Sequence, residues 1–460
     1  MNSGMNKNKG IFIIIAAFFL LGIYSLQFYE NIFWDSAVYI GIGKYILSMG
    51  KAGFFEPSRP LIWPIFLGLL WKIGLDPVIY GRILGLLFAL GCIYLSYKIG
   101  KEAFNENIAV LSAFLLAFTP SFFFFSNKIL SDIPSLFFSL LAVHLFIKKR
   151  LFYSGIFAGI AFMARFIQLG VFISIAAIFL LNRKEYKDFN KKAAYLASGF
   201  FIALIPFLAF NLVIHKNPIY PLLLQLFMTK YTGLMYNQQF YFYFINILKE
   251  NFILILSLAG IFFIFKKRSA ASSLILTLFL LFLMFFSLVP HKEIRFITAF
   301  LPYLSIIASY GFYSLIEYVK KDKARLLILA SLILLFVVQI TPYFKFGEEE
   351  NKFTLFQNYM AKEDVKEGIW VTNPIYAVYS DKKISELMYF PVFDDKKISE
   401  LASESDKAEH ILLNSCDLYC EPYFGGCEEK KNDFIGLLKT KFEAVFYEKE
   451  GGCESYIFEK

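Results

Sequence analysis

The residues best suited to chemistry in this chain are charged groups that interrupt apolar sequence, and they fall in four short stretches. The first is FWDSAVYIGIGKYILSMGKAGFFEPSRPLIWP, from Phe33 to Pro64, which carries Asp35, Glu56 and Arg59. The second, SNKILSDIPS, supplies Lys128 and Asp132. The third is MARFIQ, where Arg165 breaks an otherwise apolar run, and the fourth is PHKEIRF, with His291, Lys292, Glu293 and Arg295. Charges beside or within membrane spans are costly and tend to mark sites. Carboxylates near cations suit a reaction in which an acceptor is deprotonated and an anion is held. Taken singly, each group reads equally well as a structural ion pair or a snorkelling side chain. Their joint placement by the surrounding elements sets them apart.

Those elements are apolar runs. The chain has 460 residues, 58% hydrophobic and 19% aromatic, with a mean hydropathy of +0.56. A soluble domain holds roughly 45–50% apolar residues, so this excess, gathered in long runs, predicts a polytopic membrane protein. Eleven runs qualify, beginning near Ile11–Phe28, Pro77–Tyr97, Ile108–Phe125, Ile133–Ile147, Phe152–Ala164 and Ile167–Leu181. The others lie near Ala193–Ile214, Phe242–Phe265, Ala270–Val289, Phe296–Val319 and Leu326–Thr341. LIWPIFLGLLWKIG is short and Trp-flanked, and reads as a helix lying in the interface. The first run follows Lys7 and Lys9 without a small-residue cleavage site after it, so it reads as a retained span.

Loop charges test this arrangement. Basic clusters stand at Lys7/Lys9, Lys98/Lys101, Lys148–Arg150, Arg183–Lys192, Lys266–Arg268 and Lys320–Arg325. With eleven spans, all fall on one side, which the positive-inside rule assigns to the cytoplasm. The N-terminus is then cytoplasmic. The four charged stretches and the C-terminal segment face outward. The net charge of +9 hides a division, because the chain from Lys345 onward holds 15 basic and 24 acidic residues. A basic membrane part with an acidic tail argues against nucleic-acid binding.

The expected domains are therefore a membrane part over 1–344, with a first outer loop at 30–76, and an extracytoplasmic α/β domain over 345–460. In the tail, GIWVTN and HILLN read as short buried strands, and FEAVFYEK with ESYIFEK as a hairpin around Gly451–Gly452. The heptapeptide DKKISEL occurs twice, at Asp381–Leu387 and Asp395–Leu401, and its leading Asp fits a helix N-terminus. Four of the five cysteines, Cys416, Cys420, Cys427 and Cys453, lie in this tail. Outside the cytoplasm an even number favours two disulfides, with three pairings open, over a structural zinc.

The order of the motifs resembles the C-type membrane glycosyltransferases that use polyprenyl-phosphate sugars. The likeness is greatest to the branch of the dolichyl-phosphate-mannose protein mannosyltransferases and the lipid A aminoarabinose transferase. FWDSAVYI resembles the family's early outer-loop Asp, and EPSRPLIWPIFLGLLWKIG its Lys/Arg-Pro segment and interfacial helix. VIYGRILGLLFALGCIYLSYKIGKEAF, SNKILSDIPSLFFSLLAV and GIFAGIAFMARFIQ resemble its next span, its Asp-bearing outer turn and its small-residue span. PHKEIRF resembles a stretch of the lipid-linked-oligosaccharide mannosyltransferases. The chain lacks the WWDYG motif of oligosaccharyltransferases and has Arg59-Pro60-Leu61 where the aminoarabinose branch has Lys-Pro-Pro.

What the resemblance implies is an α-helical fold of the C-type glycosyltransferases. The activity implied is transfer of a sugar from a polyprenyl-phosphate carrier to a hydroxyl acceptor on the outer face, with inversion at the anomeric carbon. The acceptor would be a protein, a lipid-linked glycan or a lipid. Asp35 would be the general base. Arg59, Arg165, Lys292 and Arg295 would hold the donor phosphate. Glu56, Lys128, Asp132, His291 and Glu293 would bind sugar or acceptor, or orient these groups. No cofactor is certain from the sequence; the carboxylates would suit a divalent metal, which the chemistry does not require. The rival classes are a transporter or lipid flippase and a membrane scaffold. Transporters favour internal repeats and charges at mid-membrane, and a scaffold leaves the charges of the first stretch unexplained.

Overall fold

A computed structural model describes residues 9–28, 32–232, 236–343, 356, 359–360, 367–388, 395–418, 420 and 426–460. The expected boundary between 344 and 345 lies at or outside the described residues. By internal contacts the chain forms two compact units. One comprises Met1–Tyr29, Arg82–Ile219 and Asn237–Glu348; the other comprises Glu30–Gly81, Tyr220–Tyr236 and Glu349–Lys460.

The first unit is helical. Its elements are α1 (Lys9–Ser25), most of α4 (Pro77–Ala103), α5 (Glu106–Phe118), α6 (Pro120–Ser126), α7 (Asp132–Ile147), α8 (Leu151–Ala164), α9 (Leu169–Leu181) and α10 (Phe189–His215). They continue as α12 (Phe242–Glu250), α13 (Ser257–Lys266), α14 (Ala270–Leu288), α15 (Leu301–Ile316) and α16 (Asp322–Ile340). Among the described residues five helices are long and apolar enough to cross a membrane, and α5 with α6, bent by 65°, brings the number to six where that pair counts as one span. Of the other expected spans, Ile133–Ile147, Phe152–Ala164, Ile167–Leu181 and Phe296–Val319 coincide with shorter apolar helices, whereas Phe242–Phe265 is broken at Asn251 into α12 and the stretch Phe252–Lys266. The chain is a membrane protein.

In lipid, helices gain little from hiding apolar surface, so close backbone approach drives their packing. Helices α8 and α10 show this. Gly155 and Gly159 of α8 stand four residues apart and face Leu196, Phe200 and Ala203 of α10, while Gly199 of α10 faces Phe152. At Gly159 an added Cβ would lie 2.8 Å from the Ala203 Cβ and 2.9 Å from the Phe200 carbonyl.

The second unit joins residues 30–81 to the C-terminal residues. Helix α2 (Trp34–Leu47) and helix α3 (Ile62–Lys72) form a hairpin, and α11 (Tyr220–Thr232) belongs to the same unit. The hairpin closes on glycine: a Cβ at Gly43 would lie 2.7 Å from the Gly68 nitrogen. Helix α3 is the helix expected from LIWPIFLGLLWKIG, and it buries Trp63 and Leu67 completely.

The C-terminal part is a five-stranded sheet. Strands β1 (Ile369–Val371), β2 (Ile384–Leu387), β3 (His410–Asn414), β4 (Glu443–Glu450) and β5 (Cys453–Glu459) lie in the order β2-β1-β3-β5-β4. The pairs β2/β1 and β1/β3 are parallel, whereas β3/β5 and β5/β4 are antiparallel. Gly451 (φ +57°) and Gly452 (φ +86°) turn β4 into β5, as the two-residue hairpin requires. Trp370, Ile411, Leu413 and Phe458 pack against Leu401 of the helix Asp395–Glu404 and Phe434 and Leu438 of the helix Cys427–Lys441. Disulfides join Cys416 to Cys453 and Cys420 to Cys427.

One expectation is corrected. The second DKKISEL copy opens the helix Asp395–Glu404, but the first is not a helix. Its Ile384–Leu387 portion is strand β2, held by pairing with Ile369–Val371. Pairing with a distant strand overrides the local helix signal.

Candidate active site

Within the second unit, Asp35 lies in the first turn of α2 and Arg59 on the loop leading to α3. The Arg59 guanidinium reaches the Asp35 carboxylate at 2.9 Å and Glu56 Oε1 at 3.0 Å. It also lies 5.8 Å from the centre of the Tyr39 ring. Tyr39 follows Asp35 by four residues and so stands on the same helix face. Ser58 donates its hydroxyl to Glu56 Oε1. Glu56 is 9% exposed, and its second carboxylate oxygen, Oε2, is buried without a hydrogen-bond partner. A buried carboxylate oxygen left bare is expensive, so this one suits a hydroxyl brought by a substrate. The guanidinium thus holds two carboxylates through two different nitrogens, an arrangement that Lys, with a single nitrogen, would not reproduce.

Within the first unit a second cluster forms. Asp132, buried in the first turn of α7, pairs with Arg165, which follows the last turn of α8. Phe296 organises the rest: Arg165 lies 5.1 Å from its ring centre and Arg295 5.4 Å. Glu293 accepts from Arg295 at 2.9 Å and shares a hydrogen bond with His291 at 2.6 Å. Three of the four stretches thereby meet through Asp132, Arg165 and Phe296, and Lys128 lies on the turn between α6 and α7, 4.7 Å from the Phe124 ring centre. Lys292 differs from its neighbours. Its ammonium donates to the Val289 carbonyl at 2.7 Å, capping the end of α14, and burial pulls it below the ordinary lysine range. Among the described residues no group of three His, Cys, Asp or Glu side chains is placed to hold a metal ion.

Sequence reasoning did not single out Tyr39, Ser58 or Phe296. Spacing of four from Asp35 was the available signal for Tyr39. For Phe296 it was an aromatic ring next to Arg295 in PHKEIRF. Ser58 carries no signal of its own.

The helical body, the α2–α3 hairpin with its acidic residue and the small α/β tail make up the fold expected of the C-type membrane glycosyltransferases. Residues 58–210 match the family model of the dolichyl-phosphate-mannose-protein mannosyltransferases. No curated protein matches the chain. Among solved structures, the chain is similar to ArnT from Cupriavidus metallidurans bound to undecaprenyl phosphate, with a TM-score of 0.69 and 10% identity over 97% of both chains. It is also similar to the archaeal oligosaccharyltransferase AglB from Archaeoglobus fulgidus, in complex with an inhibitory peptide and a dolichol-phosphate. There the TM-score is 0.62 and the identity 12%, over 99% of this chain and 74% of that one.

Proposed function

We propose that this protein is a membrane glycosyltransferase that moves a sugar from a polyprenyl-phosphate carrier to a hydroxyl acceptor. The Asp35–Arg59–Glu56 cluster carries the reading, because it sets a carboxylate base beside a guanidinium suited to phosphate. The acceptor oxygen attacks the anomeric carbon from the face opposite the phosphate, and its proton passes to Asp35. The new carbon–oxygen bond forms as the bond to the phosphate oxygen breaks, and the lipid phosphate leaves with the electron pair. A hydroxyl becomes strongly acidic only as its bond to carbon forms, so a carboxylate within hydrogen-bond reach suffices as base.

Arg59 has two tasks in this reading. In the absence of donor it pairs with Asp35 at 2.9 Å and holds that carboxylate in place. A donor phosphate competes for the same guanidinium and frees the base as the donor arrives. Within the first unit, Arg165, Arg295 and Lys128 are cations suited to a phosphate, and Lys292 fixes the loop that carries Arg295. Glu56 takes a sugar or acceptor hydroxyl on Oε2, while Asp132, His291 and Glu293 orient the arginines. The chain is organised as a membrane part over 1–344 and an extracytoplasmic domain over 345–460, with the N-terminus in the cytoplasm. The transferred group is a hexose or pentose, and the acceptor is a protein, a lipid-linked glycan or a lipid.

Membranes containing the protein are incubated with radiolabelled dolichyl-phosphate mannose, dolichyl-phosphate glucose and undecaprenyl-phosphate glucose. Label should leave at least one carrier for an acceptor, and the Asp35→Asn protein should not support this. Failure of every donor to be consumed, with lipid or solute crossing sealed vesicles instead, would replace the transferase with a transporter.

A further inference from the structure

Lys44 is a buried cation that the proposed chemistry does not use. It lies on α2, nine residues after Asp35, and is 2% exposed. All three of its donors are taken by the C-terminal part of its own unit: the Val378 carbonyl at 2.9 Å, the Ser380 carbonyl at 3.1 Å and Asp381 Oδ1 at 2.9 Å. Asp381 receives a second bond, from the Trp71 indole nitrogen at 2.9 Å, and Trp71 is on α3. One exposed carboxylate therefore ties both helices of the hairpin to the tail.

The backbone repeats the connection. Gly53 donates to the Lys382 carbonyl at 3.0 Å and accepts from the Ile384 nitrogen at 2.9 Å, so the loop after α2 extends the edge of β2. Gly53 has φ +68° and presses on the Gly41 carbonyl of α2, a place no side chain fits. The short helix Tyr376–Tyr379 also packs on α2. A cleft of about 490 Å³ beside these bonds is lined by Lys44, Trp71, Leu75, Asp76, Tyr379 and Asp381. On this side the hairpin and the tail are therefore joined by directed polar bonds as well as by the packing of Tyr376–Tyr379 on α2. Of the residues supplying them, Asp381, Lys382 and Ile384 belong to the first DKKISEL copy, the copy that runs into strand β2.

We infer that Lys44 is a positioning residue for the transfer reaction: through Asp381 and the Val378 and Ser380 carbonyls it makes the C-terminal domain the anchor of the helix that aims Asp35. The inference rests on the reading of Asp35 as general base. A helix transmits displacement along its axis, and Asp35 and Lys44 are separated by about 13 Å at 1.5 Å per residue. A misplacement of about 1 Å at a reacting group can cost about 100-fold in rate. The tail thereby has a role in turnover without contributing a group that touches substrate.

The test uses the full chain in lipid nanodiscs, with whichever of the three labelled donors the wild type consumes. Lys44→Met, Asp381→Asn and Trp71→Phe are compared at equal folded fraction. Lys44→Met should lower kcat about 10- to 100-fold with the donor KM changed less than about two-fold. Asp381→Asn and Trp71→Phe should lower kcat less, in that order. Lys44→Arg, which keeps a cation, should recover part of the loss. A kcat within about two-fold of wild type in Lys44→Met overturns the inference. If Lys44→Met does not fold, unchanged kcat in both other variants overturns it. Hydrogen exchange keeps the test separate from the reaction. If wild-type protein consumes no donor, the base reading fails by itself. Faster exchange across Trp34–Leu47 in Asp381→Asn then supports the anchor, and unchanged exchange overturns it.

Discussion

Asp35 and Glu56 share one guanidinium, so removing any member of the three alters the other two. Asp35→Asn keeps size and polarity but removes most proton-accepting ability. Its turnover should fall by a factor of about 100–10,000, the usual cost of losing a general base. Donor binding should hold, because Arg59 remains and is no longer drawn to Asp35. Arg59→Ala should weaken donor binding and turnover together, since a charge-assisted phosphate contact acts in ground and transition states alike. Donor titration and single-turnover rates on purified protein separate the two patterns. A different carboxylate offers a pH test away from the site. Burial pushes Asp417 up to about 6, while bonds from Asn373 and Thr372, both 3.1 Å, pull it back only in part. An unfolded aspartate titrates near about 3.9. Between those values the folded chain binds the proton that the unfolded chain has released, so stability is greatest below about pH 4 and falls as pH rises towards and past about 6. The loss is about 2–3 kcal/mol. Thermal unfolding of the tail should show it in the wild type between pH 4 and pH 7, and Asp417→Asn should flatten the dependence.

At the scale of elements, glycines divide into those that let backbones meet and those that meet nothing. A side chain at Gly43 would run into the Pro64 carbonyl and the Gly68 backbone, neither of which can swing aside. Gly43→Leu should therefore destabilise the hairpin by about 1–3 kcal/mol, the cost of overpacking, or more. At Gly436, inside the helix Cys427–Lys441, an added Cβ meets nothing within 4 Å. Gly436→Ala should raise stability by about 0.4–1 kcal/mol. Melting temperatures of the two variants in one detergent check both signs. The same contrast explains what was legible in the sequence. Long apolar runs announce α1, α4, α10, α14 and α16, because a lipid-facing helix is apolar over most of its surface. Gly451–Gly452 announces the β4–β5 turn through its local backbone demand. The two DKKISEL copies mark the limit of local reading. Identical residues are strand β2 in one place and the start of a helix in the other. What differs is a free edge beside Ile369–Val371 and the Gly53 backbone, both far away in the chain. The Lys44 bonds are out of reach for the same reason, spanning 334 to 337 residues. Charged residues near spans could be named as candidates. Their sorting into Asp35–Arg59–Glu56 and the pair of arginines on Phe296 depends on packing that no spacing encodes.

At the scale of the whole molecule, topology ties charge to chemistry. Six basic clusters fall on one side when eleven spans are assumed, and the acidic, cysteine-bearing tail falls on the other. The cysteines make this testable, since four lie in the tail as two disulfides and Cys92 is buried among helices. An impermeant maleimide should leave intact cells unlabelled without reductant, because the tail thiols are paired and Cys92 is inaccessible. After mild reduction the tail should label in intact cells. A variant with all four tail cysteines replaced by Ser should not label under either condition. Its tail should also be less stable, by about 2–4 kcal/mol for each disulfide lost, and so more readily proteolysed from outside. If the reduced wild type labels only after lysis, the tail is cytoplasmic. The hairpin that carries Asp35 is bonded to that tail through Lys44 and Gly53, so it would move to the same side. Transfer at the outer face would then be excluded, even if a polyprenyl-phosphate sugar were still consumed.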